Sequence, residues 1–526
     1  MNLKLKIILA LLTGFQTISL AQIKVSPSSA EMDAIRKSEF NTIGKKVAIQ
    51  AVTEKSTGKW ESNNGFSIWK LIVETDNADA IIVYFDELTL PVGSEIVAYS
   101  ADDPSESTRV FTENSNKYVK TFALPMVNSD KVVVEARIPS GQVNAFHAVI
   151  SELGCIVGKG TNGTNGFGDT DPCYINVNCA DGLPYQNAKR AVAQYTFTEG
   201  GVIGNCTGTL LNNTAQDDRN LFLSAQHCAM EATPAELGQA IFYFNYEAPD
   251  CDNPSSSAGL LDDAVVGCNR IAASGGQHPL PPDGSDFHLF ELNPIPAAYN
   301  VYYAGWNRND IGTNIPMPGA IIQHPLSDIK KISFIDSFTQ AMTSTDFYAN
   351  CIQMSGTGGI IEPNASGSGV FDNNKRVIGT ISYGTTGCVI PGNYNFGAGG
   401  KFFVHWDMNG TTADRQLKPW LDPTNTGEMT LNGKNSGTVG MADEIEKAIW
   451  VSICPNPATD IITIKIDGKL LGSVFTITDF TGKTIIQVKP EQQSTCVDIQ
   501  KLAPGIYFVT YSTSNLGKEA VKFIKH

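Results

Sequence analysis

From Cys173 to about Gly433 the chain is a succession of short apolar runs, each broken within a few residues by Gly, Asn, Asp or Ser, and helical periodicity appears only at residues 416–421. A chain interrupted this often cannot present long amphipathic helices, so its core has to be built from strands, as a pair of barrels or a large sandwich. Residues 22 to about 155 repeat the pattern at 67–73, 80–85, 95–98 and 131–136, a spacing that predicts a β-sandwich. Between the two lies 155–171, which includes Gly160-Thr161-Asn162-Gly163-Thr164-Asn165-Gly166 and reads as a flexible linker, because such residues bury no core. Periodicity leaves two questions open: whether the first module is a binding domain or a pro-segment, and whether the linker is cut, for example at Lys159-Gly160.

At 526 residues the chain is too long for one compact domain. The net charge of -15 excludes a nucleic-acid partner, since phosphate neutralisation needs clustered Lys and Arg. Lys4 and Lys6 precede the apolar run 7–12, and Ser19-Leu20-Ala21 before Gln22 has the small-residue pattern of a signal-peptidase site, so 1–21 is expected to be a signal peptide. No later stretch approaches the roughly 20 apolar residues of a membrane span. In an oxidising compartment the eleven cysteines are expected to form disulfides. No CxxC or HExxH pattern calls for a metal, and no cofactor is expected.

Three local contexts carry chemistry. Glu362-Pro363-Asn364-Ala365-Ser366-Gly367-Ser368-Gly369 runs into the apolar Val370-Phe371, which places the Ser366 hydroxyl on a tight turn at a strand entrance. Leu221-Phe222-Leu223-Ser224-Ala225-Gln226-His227-Cys228 is an apolar strand ending in a histidine, and Cys228 can pin that end to Cys206. Asp286 opens the alternating run 287–292, at a loop-strand junction where a carboxylate can orient an imidazole. The order His227, Asp286, Ser366, with roughly 60 and 80 residues between members, is that of the chymotrypsin-like triad. The G-x-S-x-G elbow of an esterase is missing around Ser366.

The region 173–433 resembles the lysyl endopeptidases and related secreted serine proteases of the trypsin fold. The resemblance is carried by Cys206-Thr207-Gly208-Thr209-Leu210-Leu211-Asn212-Asn213-Thr214, by 222–228, by Phe242-Tyr243-Phe244-Asn245-Tyr246 with Cys251, and by 285–292. Ala304-Gly305-Trp306, His324-Pro325 with Lys330-Lys331-Ile332-Ser333, and Trp420-Leu421-Asp422-Pro423 extend it. It implies an all-β, trypsin-like double barrel with a His227, Asp286, Ser366 triad at the interface of the barrels and an oxyanion hole from the amides of Asn364 and Ser366. It implies the disulfides Cys173–Cys388, Cys179–Cys251 and Cys206–Cys228; a bridge closing a long loop adds on the order of 4 to 5 kcal/mol in the chain-entropy model. Cys268–Cys351 and Cys454–Cys496 are candidate further bridges, and Cys155 has no evident partner. Ala365 stands where trypsins carry the aspartate that receives the freed N-terminal amine, so that activation switch is not expected.

The flanks resemble known modules too. Residues 69–99 are similar to the β-rich propeptide of such proteases. Cys454-Pro455-Asn456-Pro457-Ala458-Thr459-Asp460, Thr478-Asp479-Phe480-Thr481-Gly482-Lys483 and Leu502-Ala503-Pro504-Gly505-Ile506-Tyr507 resemble the C-terminal sorting domain of the Bacteroidetes type IX secretion system, in what the residues alone describe as a small β-sandwich. The expected layout is a signal peptide 1–21, a β-sandwich propeptide 22–160, a protease domain 161–436 and a sorting domain 447–526, in a secreted or cell-surface monomer that meets protein or peptide substrates and the type IX machinery.

Two departures from the resemblance bear on function. The nucleophile loop of these proteases reads GSSGSP, whereas here Asn364 replaces the first glycine and Gly369 the proline. Asn is among the residues that tolerate the left-handed conformation this position requires, and loss of an oxyanion donor costs roughly 3 kcal/mol of barrier. Lysine-specific members carry an aspartate before a Tyr-Gly pair; the segment Gly392-Asn393-Tyr394-Asn395-Phe396-Gly397 has no carboxylate, and Ser382 stands where a pocket histidine is expected. Ser382, Tyr383, Asn393 and Tyr394 are thus the expected specificity pocket, with lysine preference weakened and a neutral residue favoured. The alternative reading keeps the fold and drops the chemistry: a trypsin-fold binding or adhesive protein with a decayed oxyanion loop.

Overall fold

The computed structural model describes residues 22–37, 42–116, 120–158, 166–168, 170, 173–257, 259–275, 284–310, 318–335, 337–340, 351–356, 359–384, 395–437, 451–454, 458–466, 470–479, 483–513 and 517–525. The expected signal peptide, the linker 159–165, Cys388, Asn393 and Tyr394 lie outside them. The chain divides into two compact units, 1–440 and 441–526. The secondary structure is overwhelmingly β, as the broken apolar runs predict.

In the first unit, the described strands of residues 192–292 close a barrel. Val192–Glu199 pairs with Val202–Leu211 and with Ile241–Tyr243; Val202–Leu211 pairs with Leu221–Ser224, which pairs with His288–Leu292, which pairs with Cys268–Ala273. Ile241–Tyr243 pairs on its other side with Ala264–Val266, and only Gly267 separates that strand from Cys268–Ala273, so the ladder returns on itself. Gly267 makes the corner at φ +88°, where a Cβ would stand 2.6 Å from the Asn293 side chain.

A second barrel follows the same plan. Gly319–Gln323 pairs with Lys331–Ile335 and Gly369–Phe371, then the ladder runs through Val377–Gly384, Asn395–Lys401 and Cys351–Gly356 to Ser337–Gln340. Ser337–Gln340 resumes one residue after Lys331–Ile335, so this ladder also closes. The double barrel is therefore the fold of this region. The short helices Phe402–Asp407 and Lys418–Leu421 pack their apolar side chains, Phe402, Trp406 and Leu421, into the core formed by the first barrel and Trp306.

Residues 22–157 form two sheets. One holds Gln22–Val25, Lys59–Asn63, Phe66–Thr75, Lys131–Pro139, Glu95–Ser100 and Phe111–Thr112; the other runs Thr42–Thr53, His147–Ile156, Ala80–Thr89, Phe122–Val127. Strict alternation along Phe66–Thr75 buries Trp69, Leu71, Val73 and Thr75 between them. The second sheet does not stop at Thr42–Thr53: that strand also pairs with Val202–Leu211 of the first barrel, through Val202 to Lys45, Ile203 to Gly44 and Gly204 to Thr42. Cys155, which composition assigns to the linker, is instead a buried residue near the end of His147–Ile156.

The second unit is a small sandwich of Val451–Cys454, Ile461–Ile466, Ser494–Asp498 against Thr484–Val488, Phe475–Asp479, Gly505–Thr513, Gly517–Lys525. Ile462, Ile464 and Ile466, two apart on one face, meet Phe475, Ile477, Val509 and Phe523 in its core.

The disulfides Cys179–Cys251 and Cys206–Cys228 form. Cys173 is disulfide-bonded, while its expected partner Cys388 lies outside the described residues. The two further pairings are corrected. Cys268 is a free thiol in the first barrel, buried against the Leu237 carbonyl at 3.6 Å, whereas Cys351 belongs to a strand of the second barrel. Cys496 is free because Thr463 lies between it and Cys454, pairing with one on each side; strands two apart are roughly 9 to 10 Å from each other, beyond disulfide reach.

Candidate active site

The wholly buried strand Leu221–Ser224 ends in the short turn Gln226–Cys228, and the Cys206–Cys228 bridge ties that turn back to Val202–Leu211. The Gln226 side-chain carbonyl accepts from the Gly275 amide and the Ser274 hydroxyl, so His227 is held on both flanks. Its backbone N–H donates to Asp286 Oδ1 at 3.1 Å and its Nδ1 lies 2.8 Å from Asp286 Oδ2. A carboxylate only accepts, so the proton sits on Nδ1 and Nε2 is the basic nitrogen. Burial pushes the His227 imidazolium pKa down, but the charge of Asp286 and its hydrogen bond more than offset this, and the net shift is upward. The side chain keeps 29 % of its surface open to the cleft.

Asp286 is fully buried and adopts φ +60°, an unfavourable conformation for a non-glycine residue that its surroundings must enforce. They do so through Ser285, whose amide donates to Asn409 Oδ1 at 3.0 Å and whose hydroxyl takes the Asn409 amide at 2.9 Å and faces His405 Nδ1 at 2.7 Å. His405 Nε2 in turn meets Thr380 Oγ1 at 3.1 Å. Burial first, and only partly opposed by Asp286, drives the His405 pKa down to about 3, so the ring behind the aspartate stays neutral. His405 and Asn409 are absent from the sequence reading; no local motif marks them, since they come from a helix and its exit more than a hundred residues beyond Ser285.

Ser366 leads into the strand Gly369–Phe371. Its carbonyl accepts from the Thr207 amide at 2.9 Å, which couples the turn of Ser366 to the first barrel. Gly367 is required here: at φ +83° its Cβ would stand 2.1 Å from Ser224 Oγ and 2.3 Å from the Thr207 carbonyl. Ser366 Oγ donates to the Ser382 carbonyl at 3.5 Å, a long hydrogen bond. His227 and Ser366 line one cleft of about 850 Å³.

Asn364 takes φ +72°, the left-handed conformation that its replacement of glycine requires. Its carbonyl accepts from Thr207 Oγ1 at 2.8 Å, and Thr207 Oγ1 accepts in turn from the His324 amide at 3.1 Å. Its side-chain amide donates to Ser327 Oγ, which also accepts from Asn205 at 3.0 Å. The Leu326 amide donates to the Pro363 carbonyl at 2.7 Å. Leu326 and Ser327 are themselves at φ +52° and +66°, two consecutive strained residues bracing the loop from outside. The other departure is accommodated as well, because the Gly369 amide donates to Thr209 Oγ1 at 3.2 Å and a proline has no N–H to give.

Of the expected specificity residues, Ser382 and Tyr383 line the cleft, and Tyr383 is 42 % exposed. Glu362, not anticipated from residues 392–397, also lines the cleft next to Pro363 and is itself buried. No cluster of metal-ligating side chains occurs among the described residues.

Residues 167–397 match the family model of the lysyl endopeptidase C-terminal domain, and 452–526 match that of the secretion system C-terminal sorting domain. A lysyl endopeptidase of Pseudomonas aeruginosa is 28 % identical over 288 residues, which cover 51 % of this chain and 58 % of that relative, so the match spans little more than half the relative's length. Among solved structures, the Vibrio cholerae VesB protease is 10 % identical with a TM-score of 0.27, covering 64 % of this chain and 95 % of that one. A thermostable serine protease, AL20, from an extremophilic microorganism is 11 % identical with a TM-score of 0.29, covering 43 % and 97 %. Likenesses that distant carry no weight for the site. The chain is a secreted or cell-surface protein similar to the lysyl endopeptidases, with a secretion sorting domain at its C-terminal end.

Proposed function

We propose that this protein is a serine endopeptidase. The observation that carries the reading is the 2.8 Å contact of His227 Nδ1 with the buried Asp286 carboxylate, on a histidine that shares its cleft with Ser366. In this mechanism His227 Nε2 takes the Ser366 proton as Oγ attacks the substrate carbonyl, and the amides of Asn364 and Ser366 stabilise the oxyanion. His227 then protonates the leaving amine, and water resolves the acyl-enzyme by the same route in reverse. Asp286 holds the useful tautomer and stabilises the imidazolium. No step calls for a cofactor.

The substrates are proteins or peptides, and the sorting domain directs the chain through the type IX secretion machinery. Residues 22–160 act as the propeptide of a protease domain spanning 161–436. Strict lysine preference is not carried over from the relatives, because the segment 392–397 lacks their carboxylate. Hydrolysis of denatured casein by the purified, processed protein tests the reading. Release of peptides by the wild type and not by Ser366→Ala is expected; equal release by both would reject it.

A further inference from the structure

The loop that braces Asn364 is itself held from behind. Asp328 is fully buried, and its carboxylate is shared between two parts of the chain. Oδ1 accepts from the Ile329 amide at 2.7 Å and from the Gly168 amide at 2.9 Å. Oδ2 accepts from the Thr170 hydroxyl and lies 3.6 Å from Lys331 Nζ. Asp328 also closes its own loop, since its amide donates to the Pro325 carbonyl at 2.9 Å and its carbonyl accepts from His324 Nδ1 at 3.0 Å. A buried carboxylate with this many donors is a fixed point of the structure.

The same short segment presses on the two strained residues that precede Asp328. Gly166 sits at φ +87°, and a Cβ there would stand 2.1 Å from the Leu326 carbonyl oxygen and 2.6 Å from the Ser327 Cβ. Only glycine permits that approach. Leu326 and Ser327, both left-handed, pass the constraint on to the turn of Ser366. The Leu326 amide donates to the Pro363 carbonyl at 2.7 Å, and Ser327 Oγ accepts from the Asn364 side chain. A second route runs from the His324 amide to Thr207 Oγ1 at 3.1 Å and from Thr207 Oγ1 to the Asn364 carbonyl at 2.8 Å. Between Asn364 and Ser366, Ala365 is buried and has no polar side chain to anchor the turn from within. A left-handed Asn364 persists only where its surroundings over-determine it, and these surroundings lead back to Asp328.

We propose that Asp328 is a positioning residue for the reaction: by clamping Gly168 and Thr170 onto the loop 324–328, it holds Asn364 in the conformation that aims its amide at the oxyanion. The inference rests on the endopeptidase reading above and adds to it the stretch just after the linker. Asp328, Gly166, Gly168 and Thr170 do not line the cleft, so they act only through the loop.

Removing the Asp328 carboxylate would leave Lys331 without its buried counter-charge, so the test uses variants on the far side of the clamp. In the Ser366→Ala protein, hydrogen–deuterium exchange is followed in the peptide 323–329, which contains the Leu326 amide. Gly166→Ala and Thr170→Val are each expected to speed its exchange at least about fivefold. Unchanged exchange in both would overturn the proposal, whatever the activity of the wild type.

With Ser366 in place, the same two changes are expected to lower kcat about 3- to 10-fold with KM unchanged. Thr170→Ser, which keeps the hydroxyl, is expected to recover most of the rate lost in Thr170→Val. In the Ser327→Ala background the further loss should shrink to less than about half, because Ser327 carries much of the coupling. A loss of equal size in both backgrounds, or a change in KM alone, would overturn the proposal. Faster exchange in a protein whose wild type cuts nothing would reject the endopeptidase reading and leave Asp328 a structural clamp only.

Discussion

Thr207 Oγ1 donates to the carbonyl oxygen of Asn364 at 2.8 Å, and this bond ties the first barrel to the peptide that follows the proposed oxyanion residue. With Ser327 Oγ on the Asn364 side chain, it fixes a non-glycine residue in the left-handed region. Loosening either anchor should let the Asn364 amide swing out of line. Thr207→Val and Ser327→Ala are each expected to lower kcat about 10- to 100-fold with little change in KM, approaching the cost of a lost oxyanion donor. Asn364→Gly in the Ser327→Ala background is expected to recover most of the loss. Steady-state kinetics on a peptide amide checks both.

The pH profile follows from His227. Its pKa is raised because the Asp286 charge and hydrogen bond outweigh burial, and the base works only when neutral. Activity should therefore be lost as pH falls through a value above the ordinary imidazole pKa of about 6.5. Asp286→Asn removes the raising influence, so the acid limb of kcat/KM should move to lower pH while kcat drops by about 10⁴-fold, the size known for this change in a chymotrypsin-like triad.

Residue preference can be read by mass-spectrometric mapping of cuts in denatured casein. Cuts are expected to spread over neutral residues before the scissile bond, with those after Lys or Arg depending on Glu362, which lines the cleft. Glu362→Gln should remove the basic-residue cuts and spare the others. Cuts almost exclusively after Lys in the wild type would contradict this expectation.

Thiol labelling distinguishes the corrected cysteine assignments. Cys496 is exposed, whereas Cys155 and Cys268 are buried, and burial pushes both thiols up. Of these three, an alkylating reagent should modify Cys496 alone in the native protein and all of them in denaturant without reductant. A recovered peptide linking Cys268 to Cys351 would contradict the fold described above.

The placement of His227 and Asp286 at strand ends and of Ser366 on a tight turn was legible in the sequence because each context is set within a few residues, while the two described disulfides were implied by the resemblance to the lysyl endopeptidases. The remaining features depend on which strands become neighbours. No local pattern says that Thr42–Thr53 pairs with a barrel strand or that Ile461–Ile466 separates Cys454 from Cys496. His405 and Asn409 likewise acquire their role only when the chain returns to Ser285. The left-handed backbone at Asn364 was readable from residue type, while its anchors Thr207 and Ser327 come from separate loops.

The central claim is that Ser366 is a nucleophile activated by His227. Reacting the processed protein with a fluorophosphonate probe and locating the adduct by mass spectrometry tests this directly. The adduct is expected on Ser366 in the wild type, lost in Ser366→Ala and greatly slowed in His227→Ala; a processed, folded wild type that takes up no probe would contradict it.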